Sequence, residues 1–166
     1  INASTFATLV VASTLSDMYF AVGAGIAALN GPLHGGANEQ VLYMLQEIYR
    51  HGDVKKWFSH SREKKQKIMG FGHRVYKAYD PRARVLGPLA EYLVKSEGNA
   101  KMRGLFNVAK DLEEEVVSTL GKEKKIFPNV DFYSGIVYSC LGVSTPLFTP
   151  LFAVSRVAGW TARVME

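Results

Sequence analysis

Cysteine is nearly absent from this chain: Cys140 stands alone in 166 residues. A single thiol excludes an internal disulfide framework and fits a reducing, cytoplasmic setting. Its neighbours, Ile136-Val-Tyr-Ser-Cys140-Leu-Gly, read as a packed helix in which the thiol is a small buried hydrophobe. Runs of β-branched alternation are scarce, and internal repeats and low-complexity segments are lacking, so the reading is all-α. No Cys/His or carboxylate/His spacing matches a metal site. A serine nucleophile elbow and a Walker loop are missing too. The chain opens Ile1-Asn2-Ala3, without initiator Met, basic n-region or cleavage-site pattern. Nothing there reads as a targeting segment, and the expectation is a piece of a longer protein.

Charge is missing from the two ends. Residues 38 to 125 carry 18 of the 20 Lys and Arg and 12 of the 15 Asp and Glu. The flanks, 1–37 and 126–166, hold only Asp17, Asp131, Arg156, Arg163 and Glu166. Such flanks are expected inside a large core or a subunit interface, with the charged middle in solvent. The net charge of +5 does not point to nucleic acid, because basic residues are interleaved with acidic ones. Residues 3–29 are long enough to span a membrane. Asp17 lies mid-stretch beside Ser13, Thr14 and Ser16, however, so two buried helices broken near Asp17 are the better reading, with no membrane partner. The run Gly23/Gly25/Ala27/Ala28 would let another helix come close.

Helix signals follow in order. Asn30-Gly31-Pro32 is a stop. Val41, Leu42, Leu45, Ile48 and Tyr49 share one face, ended near Gly52. Residues 53–58 form a short helix, and His51 and His60 fall among surface positions. Asp80-Pro81 starts the next helix, with Gly87-Pro88 as an interruption. Leu105, Ala109, Leu112, Val116 and Leu120 make another, stopping at Gly121. Residues 130–141 and 147–165 complete the set as mostly buried helices.

Within this frame two glycine-flanked histidines stand out, Gly31-Pro-Leu-His34-Gly-Gly-Ala-Asn38 and Gly70-Phe-Gly-His73-Arg-Val-Tyr-Lys77. Flanking glycines let backbone approach a ligand closely. His34 stands at a helix entry, where free N–H groups suit a developing oxyanion and favour a neutral imidazole; a histidine tucked into a turn is the plainer reading. His73 is followed by cations, Arg74, Lys77, Arg82 and Arg84, suited to anions; the alternative is a solvated turn. Asp131 lies in the uncharged run Phe127-Pro-Asn-Val-Asp131-Phe-Tyr-Ser-Gly135. Desolvation would make it a stronger base, while an ordinary helix cap explains it equally well. Arg156 requires a carboxylate, from a substrate or from Asp131 or Glu166.

Six segments in order carry a family resemblance: Asn2-Ala-Ser-Thr-Phe6, Gly31–Asn38, Gly70–Tyr76, Asp80-Pro-Arg82, Phe127–Gly135 and Phe152-Ala-Val-Ser-Arg-Val-Ala-Gly-Trp160. The chain resembles citrate synthase of the bacterial and archaeal style from end to end. The resemblance implies an all-α homodimer, or a hexamer built on it, with a large helical domain and a smaller mobile one, here incomplete: 1–37 and 126–166 in the large domain, 38–125 in the small. It implies condensation of acetyl-CoA with oxaloacetate and hydrolysis of citryl-CoA, with no permanently bound cofactor. Asp131 would take the methyl proton, His34 would hold the thioester oxygen, and His73 would serve the oxaloacetate carbonyl. Asn2, Arg82 and Arg156 would bind oxaloacetate, and Leu33, Gly70, Phe71 and Lys77 CoA. A full family member is more than twice this length, with a further pocket histidine upstream and an arginine downstream, so this piece alone is expected to be inactive. 2-Methylcitrate synthase, using propionyl-CoA, shares these motifs. Citryl-CoA lyase is a third reading, and a non-catalytic CoA-binding or dimerisation module a fourth.

Overall fold

A computed structural model describes residues 1–166 apart from 74, 75 and 77. The fold is all-α. Among the described residues no strand forms, and Phe71 and Pro128 make an isolated antiparallel bridge. The chain makes two compact units, Ile1–Ala37 with Pro146–Glu166, and Asn38–Thr145.

The first unit holds α1 (Ala3–Ala12), α2 (Met18–Leu29) and α9 (Phe148–Met165), which pack on one another. Asn2 and Asp17 cap α1 and α2, their side chains accepting from the N–H groups of Thr5 and Phe20. Gly25 is a point of close approach, since a Cβ there would lie 2.4 Å from Thr8 Oγ1 and 3.1 Å from the Trp160 ring. Gly23 faces open space, so of these two glycines one is used for packing. Burial is thinner than the apolar composition predicts. Three helices cover only their inward sides, and Phe6, Phe20, Leu151 and Val154 are exposed. The expectation of a mostly buried final helix is corrected on this point: Phe148, Thr149 and Trp160 are its buried residues.

The second unit comprises α3 (Ala37–His51), α4 (Val54–Glu63), α5 (Pro81–Ser96), α6 (Ala100–Val116) and α8 (Val130–Cys140). A wide π turn (Val117–Gly121) continues α6 into the single turn α7 (Lys122–Lys124). The helix therefore runs past the expected stop at Gly121 and ends at Lys125, whose φ is 55°. On α3 the predicted face is buried, except that Tyr49 is exposed. Asp53 caps α4 and Asp80 caps α5, with Pro81 in the first turn. Gly87-Pro88 does not interrupt α5, which is continuous through Pro88 and packs along α8. Although apolar like the ends of the chain, α8 packs on α5 and α6, so the second unit extends past the composition change at 125/126 to Thr145.

Candidate active site

His34, Asn2, Leu33 and Arg156 belong to the first unit; Gly70, Phe71, His73, Arg82 and Asp131 belong to the second. Lys77 lies outside the described residues.

His34 sits in the turn before α3, its N–H donating to Gly31 O at 2.9 Å and its carbonyl accepting from Ala37 N at 3.1 Å. The Ser4 N–H donates to His34 Nε2 at 3.2 Å. A backbone N–H can only donate, so a neutral ring carries its proton on Nδ1. The Ser4 hydroxyl is 2.8 Å from the same Nε2 and 2.9 Å from Asn2 Oδ1, one proton shared between two acceptors. Burial, and then the positive charge of Arg156, push the imidazole below its ordinary pKa. The helix entry favours a neutral ring; in the fold it is desolvation and a guanidinium that lower the pKa. Arg156 lies 5.0 Å from the centroid of the Phe152 ring, whose edge in turn meets His34. Its expected salt-bridge partner Glu166 is engaged by Arg163. Asn2 is exposed and uses Oδ1 for the cap, leaving its amide N–H groups as donors, and Leu33 is 72% exposed.

In the second unit a short clip ties the His73 segment to the start of α8. Asn129 N donates to Gly70 O at 2.9 Å, Gly72 N to Phe127 O at 2.8 Å, and Asn129 Nδ2 to Gly72 O at 2.9 Å. Gly70 is a glycine for two reasons. Its φ is +80°, and a Cβ would come within 2.8 Å of Phe132 and Val41. Phe71 is buried with its ring centroid 4.5 Å from that of Phe132, so any ligand meeting this loop meets its backbone. His73 Nδ1 accepts from Tyr76 N at 3.1 Å, and the two rings meet tilted by 35° with centroids 4.7 Å apart.

The structure decides between the two readings of Asp131 as a cap or a desolvated acid. Asn129 caps α8, accepting from the Asp131 N–H at 3.0 Å, and Asp131 stands within the first turn. Loss of water around its carboxyl group pushes the pKa up to about 6; Arg82 opposes the rise and Asp80 adds to it. An acid of that strength is ionised at neutral pH and is a better proton acceptor than an ordinary carboxylate.

Asp80, which the sequence marks only as a cap, is a buried anion that also holds Arg82. Arg82 donates from Nε to Oδ1 at 3.1 Å and from Nη2 to Oδ2 at 2.8 Å. Burial alone would raise the Asp80 carboxyl, but the Arg82 hydrogen bonds and charge hold it below the usual range. Asp80 in turn pushes Arg82 above its ordinary value. Half of the Arg82 side chain stays exposed, with three of its five N–H donors beyond those given to Asp80. The sequence reading passes over Ser4, Asp80 and Asn129 as site residues. The Asn-x-Ser, Asp-x-Arg and Asn-x-Asp spacings at three helix starts are the local signals that mark them. Among the described residues no group of His, Cys, Asp or Glu is arranged to hold a metal, and no helix is long and apolar enough to cross a membrane.

The family model for the citrate synthase C-terminal domain matches residues 1–166. Citrate synthase of Synechocystis is 51% identical over 99% of this chain and 41% of its own length. That of Deinococcus radiodurans is 48% identical over 99% of this chain and 43% of its own. The chain thus spans less than half the length of these relatives. Thermoplasma acidophilum citrate synthase, solved in a ternary complex with carboxymethyl coenzyme A and oxaloacetate, superposes with a TM-score of 0.92 at 44% identity. That match covers all of this chain and 44% of the other. Citryl-CoA lyase of Hydrogenobacter thermophilus aligns with a TM-score of 0.76 at 32% identity, covering 99% of this chain and 61% of its own. With the family model matched from first residue to last, this chain belongs to the citrate synthase family.

Proposed function

We propose that this chain carries the reacting groups of an enzyme that condenses acetyl-CoA with oxaloacetate and hydrolyses citryl-CoA, acting within a longer protein. The observation that carries the reading is Asp131, a desolvated carboxylate with a pKa of about 6 in the first turn of a helix capped by another residue. It removes a proton from the acetyl methyl group. His34, neutral and protonated on Nδ1, donates to the thioester oxygen and stabilises the enolate as it forms. His73 donates a proton to the oxaloacetate carbonyl oxygen as the new carbon–carbon bond closes; water then cleaves the thioester to citrate and CoA. Arg82 and Arg156 bind the oxaloacetate carboxylates, a task that suits guanidinium forks, with Asn2 beside them. Leu33, the Gly70–Phe71 backbone and Lys77 meet CoA. On this reading 38–125 belongs to the smaller mobile domain together with α8, which packs on α5 and α6, and 1–37 and 146–166 belong to the large one. The exposed apolar side chains of α1, α2 and α9 support burial against the remainder of the protein and a second subunit.

The test is thiol release by the full-length cytoplasmic protein from acetyl-CoA plus oxaloacetate, with propionyl-CoA in a parallel assay. Activity with acetyl-CoA, lost by at least about a hundredfold in D131N, is expected. An inert parent protein, or an undiminished D131N enzyme, would refute the proposal; a preference for propionyl-CoA would reassign it to 2-methylcitrate synthesis.

A further inference from the structure

Two buried or half-buried titratable groups have no part in that chemistry. Tyr133 is 2% exposed, two residues beyond Asp131 on α8, and its hydroxyl donates to the half-buried carboxylate of Glu113 on α6. Burial raises the Glu113 carboxyl, and burial together with Glu113 raises the Tyr133 hydroxyl, so phenol and carboxylate face each other as donor and acceptor across neutral pH. The ring has little room to move. A Cβ on Gly87 of α5 would stand 3.3 Å from it, and Phe106 of α6 and Phe132 of α8 meet it at centroid distances of 6.2 and 4.9 Å. Beside the pair an open pocket of about 200 Å³ is lined in part by Phe106, Lys110, Glu113 and Tyr133.

The opposite anchor of the helix is the clip at its N-terminus, where Asn129 joins Gly70 and Gly72. The clip holds one end, and the buried apolar side chains of Phe132, Ile136 and Val137 hold the helix against α5 and α6 without fixing its exact roll by a directional contact. The side-chain hydrogen bonds of Ser134 and Ser139 return to the helix's own carbonyls and do not restrain roll. The Tyr133–Glu113 bond crosses to α6 and adds a directional restraint to the apolar packing. Because Asp131 and Tyr133 are rigidly related by one helix, the roll that satisfies Glu113 also sets where the Asp131 carboxylate stands.

We propose that Glu113 and Tyr133 are positioning residues for Asp131, their hydrogen bond fixing the roll of α8 so that the carboxylate meets the acetyl methyl group. This rests on Asp131 being the base. The geometry sensitivity of proton abstraction is steep, a displacement of about 1 Å costing up to about a hundredfold.

The experiment uses the full-length protein and four variants: Y133F, which keeps the ring and removes the donor; E113Q, which keeps an acceptor oxygen; E113A, which removes it; and D131N. Turnover is compared for acetyl-CoA and methyl-deuterated acetyl-CoA. Y133F and E113A are expected to lose about tenfold in kcat or more, with KM for oxaloacetate unchanged and a larger deuterium effect, as proton abstraction becomes rate-limiting. E113Q stays within about threefold of the parent. A purely structural pair would lower the melting temperature and leave the isotope effect alone. Y133F with parental kcat and isotope effect, beside an inactive D131N, overturns the positioning role and leaves the base assignment intact. An active D131N overturns both. Should E113A fail to fold, Y133F and E113Q still decide: E113Q as impaired as Y133F counts against a role exerted through this hydrogen bond.

Discussion

Replacing Asp131 by Asn should abolish turnover and at the same time stabilise the protein, by an amount that grows with pH. A carboxyl whose pKa is about 6 in the folded chain and 3.8 when solvated binds its proton more tightly folded than unfolded. Its contribution is therefore most favourable below about pH 4, where both forms are protonated, and is lost as pH rises through 6. The rise from 3.8 to about 6 corresponds to about 3 kcal/mol of penalty for the ionised group at pH 8, an upper bound since Arg82 and water relax around it. At pH 5 the same relation leaves about half that penalty. Asn is neutral at both values, so any constant effect of the amide cancels between them. Thermal or denaturant unfolding of full-length parent and D131N at pH 5 and pH 8 should show the variant's advantage about 1.5 kcal/mol larger at pH 8. An advantage independent of pH, or one that shrinks as pH rises, would show that Asp131 is not a desolvated acid and would remove the physical basis for reading it as the base.

Three further outcomes are expected. G70A forces a side chain onto a φ of +80° and into Phe132 and Val41; it should cost about 2–5 kcal/mol in unfolding free energy and reduce turnover by loosening the clip. N129A removes both the α8 cap and the bond to Gly72 O, with a loss of about 1–2 kcal/mol visible in denaturant titration. R156Q should raise the His34 pKa, followed by NMR of labelled histidine, yet leave it below the ordinary value, because burial is the larger cause; a return to the ordinary value would contradict that order.

Helix starts are legible in the sequence because they are local. Asp80-Pro81 announces a helix start to the residues that follow, and the apolar faces of α3 and α6 repeat with the helical period. The segments holding His34, His73 and Asp131 are legible as sequence motifs for the same reason. What does not show are the effects that depend on neighbours far along the chain. In Phe127-Pro-Asn-Val-Asp131 the sequence marks Asp131 as the possible cap of α8, but Asn129, tied by its side chain to Gly72, takes that place. Phe71 looks available beside two glycines, but its ring lies in the core against Phe132. Apolar periodicity on α9 says which side avoids water without saying what covers it, and in this chain much of it stays exposed.

By itself the sequence determined the helical class, written in apolar spacing, and the family, carried by six motifs in order, and it named the residues of the proposed proton-transfer site. Only the tertiary structure decided their electrostatic state. Asp131 is a weaker acid because of the loss of water around it, burial and Arg156 push the His34 imidazole below its ordinary pKa, and Arg82 is held in place by Asp80. A pKa depends on the distance to charges and to water, and those distances exist only once the chain has folded.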